Sequence, residues 1–198
     1  MSRNTRVRSG VAAGVIVVGA LGVSAVVAAR GGPTTPDDLE AAIASEPLMK
    51  VLDLPSAEGA EARALFVQPT SVGFLCVWDA PSATSRLRQG QCNSSDDPLG
   101  GRAISASLAY DGGPAVEGVT DARLVGLASH EAMSVAVLMS DGSGRALKLK
   151  RTKVGADEFQ AFAYRFKKVD LRKGVGPTAI VAYDAGGAEI GRQPTGIG

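Results

Sequence analysis

The sequence predicts a mostly β protein: a single β-sandwich domain of the Ig-like or fibronectin-III-like kind, with an N-terminal transmembrane or signal helix and one short helix before the sandwich. Three observations predict it. From residue 64 onward, short apolar runs recur between turn signals at the 8–12-residue spacing typical of sandwiches. Several of those runs alternate apolar and polar residues with the period of a strand. The first thirty residues differ in kind, carrying four arginines, no acid and one long uncharged stretch.

That stretch, "GVAAGVIVVGALGVSAVVAA" at residues 10–29, follows Arg3, Arg6 and Arg8. A basic flank before an apolar run is an export signal. A cleaved signal core takes about 7–15 residues, whereas about 20 span a bilayer as a helix. The run therefore reads as an uncleaved, single-pass signal anchor. Residues 1–9 stay cytoplasmic by the positive-inside rule, and the C-terminal body lies outside the cytoplasm. "VSA" ending at Ala25 and "VAA" ending at Ala29 also fit a small-x-small cleavage rule, so secretion after cleavage is the alternative.

Residues 30–60 read as a linker holding a short helix. In "PDDLEAAIAS", Pro36, Asp37 and Asp38 suit a helix start, Leu39, Ala42 and Ile43 mark one apolar face, and Pro47 ends it. "LMKVLDLPSAEGAEAR" reads as loop with at most a helical turn. The sandwich then spans residues 61–192, and residues 193–198 form a flexible tail.

The strands follow in order. "ALFVQP" is the first. In "VGFLCVWD", Val72, Phe74, Cys76 and Trp78 share one face while Leu75 and Val77 share the other, as in a central strand. "AISASLAY" and "ARLVGLA" come next. "MSVAVLMS" alternates, with Met133, Val135, Val137 and Met139 inward, and "DGSG" at residues 141–144 is a hairpin turn. "RALKLKRT" sets Leu147 and Leu149 against Lys148 and Lys150. "FQAFAYRFKKV" sets Phe162, Tyr164 and Phe166 against Arg165 and Lys167. "PTAIVAYDAGGAEIGR" is a hairpin turning at residues 184–187.

Cys76 and Cys92 are the two cysteines. Disulfides persist in oxidising compartments, so two cysteines in an exported body are expected to pair. The bridge pins the loop "APSATSRLRQG", with Arg86 and Arg88, to the sheet. No metal site is expected. One histidine and no close cysteine pair do not make the usual zinc ligand set.

The segments "FLCVW", "QGQC", "GGRAIS", "LVGLASHEAMSVAV", "FAYRF" and "IVAYDAGG" together resemble a group of exported or membrane-anchored actinobacterial proteins of unassigned function. That group shows a Cys-paired β-domain with V-x-G-L and YDAxG strand motifs. The resemblance covers roughly residues 60–190. It implies fold and compartment but no catalytic residues, and this chain departs from it at "ASHEAM", where a Pro-Asp-Gly turn is expected.

Chemistry-bearing constellations are sparse. "ASHEAMS" gathers Ser129, His130, Glu131 and Ser134, but neighbours along an extended chain point apart, and no nucleophile elbow is present. Asp96 and Asp97 in "NSSDDP" are adjacent rather than alternating, so they suit a turn and not a calcium loop. No catalytic residue, metal or cofactor is expected. Charge is uneven: residues 31–144 are net −9 and residues 145–173 net +7. Nucleic acid is an unlikely partner outside the cell, and no aromatic stacking pattern accompanies the charges. The basic stretch points instead to an exposed face of Lys148, Lys150, Arg165 and Lys167 contacting anionic lipid, wall polymer or an acidic protein. The expected function is a non-enzymatic, extracytoplasmic binding or structural β-domain, tethered to the membrane. A secreted enzyme of unrecognised type, or the sensor domain of a membrane signalling pair, are the alternatives.

Overall fold

A computed structural model describes residues 35–112 and 119–195, together with the backbone of residues 16–18 and 23–24. The membrane-anchor expectation for residues 10–29 falls almost entirely outside the described residues. Where that run is described it is strand and not the expected helix: β1 (Ile16–Val18) pairs with β2 (Val23–Ser24) and, on its other side, with residues 90–92 of the first sheet. Among the described residues no helix is long and apolar enough to cross a membrane.

The short helix α1 (Pro36–Ser45) forms where the sequence places it. Its cap is one residue earlier than the expected start. The Thr35 hydroxyl accepts from the Asp38 amide at 3.2 Å, and the Asp38 carboxylate accepts from the Thr35 amide at 2.9 Å. This reciprocal box satisfies two otherwise unpaired donors. Three antiparallel sheets follow. The first is ordered β2-β1-β6-β5-β4-β3, with β3 (Met49–Asp53), β4 (Ala64–Pro69), β5 (Phe74–Ala80) and β6 (Gln89–Ser94). The second is ordered β11-β12-β8-β7, with β7 (Ile104–Gly112), β8 (Val119–Ser129), β11 (Leu149–Val154) and β12 (Asp157–Arg165). The third is ordered β10-β9-β13-β14, with β9 (Ser134–Met139), β10 (Gly144–Ala146), β13 (Pro177–Tyr183) and β14 (Glu189–Pro194). A short helix α2 (Lys168–Arg172) links β12 to β13.

Core composition shows how the sheets stack. Leu65, Val67 and Val77 of the first sheet pack with Val125, Leu127 and Ala161 of the second. Ile104, Leu124 and Phe162 of the second pack with Val137, Met139 and Ile180 of the third. The second sheet is thus a middle layer, so three stacked sheets stand where a two-sheet sandwich was expected; its inner strands β8 and β12 are covered on both faces, while the edge strand β11 keeps exposed residues. The outer face of the first sheet is covered by α1, where Leu39 meets Phe66, Phe74 and Trp78. β5 is interior to its sheet, and its two faces divide as the alternation predicts.

Gln68 ties α1 to this layer. Its amide nitrogen donates to the carbonyls of Ile43 at 3.1 Å and Glu46 at 2.7 Å, and its oxygen accepts from the Trp78 indole at 2.9 Å. The last carbonyls of a helix lack intrahelical partners, and Gln68 supplies them. Gly90 lies under the same indole. A methyl added there would meet the Val77 backbone and come within 2.8 Å of the Trp78 ring. Gly90→Ala is therefore expected to cost about 1–3 kcal/mol or more, read as a lower urea midpoint at unchanged slope. A midpoint equal to the parent's would show that the β5–β6 backbones can separate at Val77 and that the indole can move aside.

Four local expectations need correction. Met49–Asp53, expected as loop, is a strand pairing with β4 at the edge of the first sheet. "RALKLKRT" is two strands in two sheets, with Leu147 and Lys148 crossing between them. Met133 is 63% exposed because β9 starts after it. Gln193, expected in a flexible tail, donates to the Ala106 carbonyl and accepts from the Ala106 amide, both at 2.8 Å, holding β14 to β7.

Candidate functional site

Cys76 and Cys92 form a disulfide between directly opposed positions of β5 and β6. Both are fully buried on the face covered by α1. The bridge closes the hairpin that carries the polar loop. Arg88 of that loop is committed to packing. Its guanidinium lies 5.1 Å from the Trp78 ring centroid and donates to the Ile43 carbonyl at 2.7 Å. Burial lowers its pKa from the ordinary arginine value. Arg86 is exposed.

The four expected basic residues do not share one surface. Lys148 and Lys150 are exposed, as the alternation predicts. Lys167 is exposed but lies beyond the end of β12. Arg165 is buried, at 6% exposure. The alternation assigns Arg165 correctly to the face opposite Phe162 and Phe166. That face looks toward the first sheet, where the 55–61 loop and Asp121 cover Arg165.

Lys148 and Lys150 instead border a cleft of about 390 Å³. Its apolar walls come from Leu52 and Pro55 near the edge of the first sheet, Leu147 at the β10–β11 crossing, and Leu149, Ala163 and Tyr164 of the middle sheet. The Lys150 ammonium donates to the Val51 carbonyl across the gap. Asp53, also on the lining, is engaged by Lys50 at 2.6 Å. Tyr164 stacks edge-on against Phe166, ring centroids 5.0 Å apart, and burial raises its phenol pKa above the ordinary value.

A second constellation, not anticipated from the sequence, lies between the first and middle sheets. Asp79, with no exposed surface, receives the Arg63 Nε at 2.9 Å and the Arg123 Nε at 2.7 Å. Arg123, equally buried, also reaches Asp111 at 2.7 Å and Asp121 at 2.6 Å. Arg165 joins through Asp121 at 3.1 Å and donates to the carbonyls of Pro55 and Glu61. Three guanidiniums thus meet three carboxylates, with Glu61 at the outer end on Arg63. The arrangement neutralises charge that both sheets carry inward and clamps the 55–61 loop over the core. Burial pulls the Arg123 pKa down, but hydrogen bonds to Asp111, Asp79 and Asp121 outweigh it and hold the group firmly cationic.

The hydrogen bond from Arg123 holds the Asp111 carboxyl below its ordinary range, partly opposed by burial. A depressed carboxylate contributes stability that is present above its unfolded-state pKa and lost as pH falls through its folded one. Asp111 therefore stabilises the fold above about pH 4 and ceases to do so under acid. Its side chain is 54% exposed, so solvent screening keeps the effect below about 1 kcal/mol. Asp111→Asn is expected to flatten the fall of the unfolding free energy between roughly pH 4 and pH 2. An unchanged acid limb would remove Asp111 from the linkage.

Ser129, His130, Asp96 and Asp97 border a third feature, a surface cavity of about 530 Å³ that also meets Arg102 and Asp157. Asp97 serves its turn, accepting from the Gly101 amide at 2.7 Å. The Ser129 hydroxyl accepts from the Glu131 amide at 3.2 Å, and His130 is exposed in that turn. Among the described residues no hydrogen bond joins His130 to Ser129, Glu131 or Ser134, so the structure builds no nucleophile–base pair there. Nor do three His, Cys, Asp or Glu side chains converge as a metal site among those residues.

No family model, curated protein or solved structure matches the chain.

Proposed function

We propose that the protein is an extracytoplasmic, non-enzymatic β-domain of stacked sheets that binds an anionic surface through Lys148 and Lys150. The observation that carries this reading is the exposure of both lysines together at the rim of an apolar cleft, at the edge of the middle sheet. The nearest lining carboxylate, Asp53, is already paired with Lys50. The disulfide supports the compartment, since such bonds persist where the environment is oxidising. The resemblance to exported actinobacterial proteins points the same way.

The test is sedimentation with vesicles of anionic and of neutral lipid. Near an anionic surface each lysine contributes about 1 kcal/mol. Replacing Lys148 and Lys150 by Gln is therefore expected to weaken binding by roughly 30-fold, and parent binding is expected to fall as salt rises. Absence of parent binding at low salt, or equal binding by the variant, would overturn the reading. Binding to purified wall polymer or an acidic protein but not to lipid would move the partner to those classes.

A second reading rests on β11 being an edge strand. Lysines on exposed edges block pairing with other chains. On that reading the Gln variant self-associates while vesicle binding stays at the parent level.

A further inference from the structure

We propose that the cleft beside Lys148 and Lys150 is a binding site for an anionic single-chain amphiphile, with the acyl chain between the sheets and the head group on the two lysines. The proposal rests on the anion-contacting role assigned to these lysines and adds the ligand class. The cleft has walls from separate layers: Leu52 and Pro55 follow the first sheet's edge, and Leu149, Ala163 and Tyr164 belong to the middle sheet. Leu52, Leu149 and Tyr164 are only half-buried, so apolar surface faces the opening. Its volume of about 390 Å³ falls within the range of small-molecule sites. If each methylene fills about the 30 Å³ that a water molecule takes in the liquid, the cleft has room for a chain of about thirteen carbons, so a ten-carbon acid fits within it.

The charge pattern selects the head group. Two exposed lysines border the opening, the Lys150 ammonium being placed there by its hydrogen bond to the Val51 carbonyl, and the lining acid Asp53 is held by Lys50 at 2.6 Å. A polyanion without a hydrocarbon portion leaves the apolar walls unfilled. A neutral hydrocarbon leaves the lysines unused, and a cationic amphiphile meets repulsion. A chain bearing a carboxylate or phosphate satisfies both features, whether it is a free fatty acid or one chain of a membrane lipid.

The experiment uses the full-length chain in neutral-lipid bilayers and a fatty acid with a photoactivatable group in its chain. After irradiation, peptide mapping is expected to find label near Leu52 and between Ala146 and Tyr164. Decanoate is expected to compete and decylamine not to. Two variants are expected to cut this labelling at least tenfold: K148Q/K150Q, which removes the head-group contacts, and Ala146→Trp, an exposed β10 position on the cleft lining. Both change only exposed residues, and a parent-like thermal midpoint confirms folding. Ala146→Trp is also expected to keep the anionic-vesicle binding of the parent. Label confined to residues 10–29, or equal competition by the amine, overturns the amphiphile proposal. If vesicles bind but the cleft takes no label, the anion contact stands and the amphiphile falls; if neither is seen, both fall. Decanoate competition with retained vesicle binding identifies a free acid as a sufficient ligand. Labelling from a photoactivatable phospholipid alone assigns the chain to membrane lipid and overturns the free-acid form.

Discussion

Asp79→Ala is expected to lower the unfolding free energy by about 3–5 kcal/mol, the usual cost of removing one partner from a buried ion pair. Asp79 is fully buried and neutralises two guanidiniums, Arg63 and Arg123, one of them without any exposed surface. Once the carboxylate is gone, Arg123 retains Asp111 and Asp121, but the Nε that faced Asp79 is left in an apolar layer. Arg63 loses its inner partner and keeps only Glu61 and two carbonyls. The Nε donors of both guanidiniums lose their buried acceptor, and water cannot replace it there. Asp111→Ala, at the solvent end of the same network, is expected to cost less than about 1 kcal/mol. Urea unfolding of the two variants separates them. Equal, small losses would mean that water enters the network and that Asp79 is not sealed between the sheets.

The second large effect concerns the disulfide. Replacing both Cys76 and Cys92 by Ala is expected to cost about 3 kcal/mol, the chain-entropy value for a closed loop of about 15 residues. The double replacement avoids leaving a reactive thiol. Because both sulfurs are buried, reductant is expected to leave the native parent intact and to act once denaturant has opened the hairpin. Parent and double variant should therefore give the same midpoint under reducing conditions and differ only when oxidised. A midpoint that is identical in both conditions would show that β5 and β6 hold together through their ladder and the packing of α1 alone.

The parts of this fold that the sequence reveals are those decided by local rules. α1 is legible from Pro36 and the acidic first turn, because capping is local. β5 and β9 are legible from alternation, β13 from its place in a hairpin, and the turns at residues 141–144 and 184–187 from their Asp and Gly content. The disulfide follows from compartment and count. Alternation gives the face on which a side chain lies; it does not give what covers that face. Arg165 shows the consequence. Opposite an aromatic stripe, a charge reads as solvent-facing only if one side of the strand is wet, and at Arg165 neither side of β12 is. A signal for the buried network was present nonetheless. Asp79 in "FLCVWDA", Arg123 in "ARLVGLA" and Arg165 in "FAYRF" are isolated charges inside runs apolar on both faces. Such charges must find partners in the core, and three of them of mixed sign are enough to pair. β3 carries no comparable signal, since "MKVLD" at a sheet edge is short and half polar. The cleft was not legible either, because its walls come from segments about a hundred residues apart.

The binding edge is tested most directly by amine footprinting of the full-length protein. Acetylation of lysines is quantified by peptide mass analysis with and without vesicles of anionic lipid. Protection is predicted at Lys148 and Lys150, greatest at low salt and lost at high salt, with Lys173 labelled equally in both conditions. Uniform labelling of all lysines on vesicle-bound protein, or protection centred on Lys167, Lys168 and Lys173 instead, would contradict the assignment of this edge as the anion-binding surface.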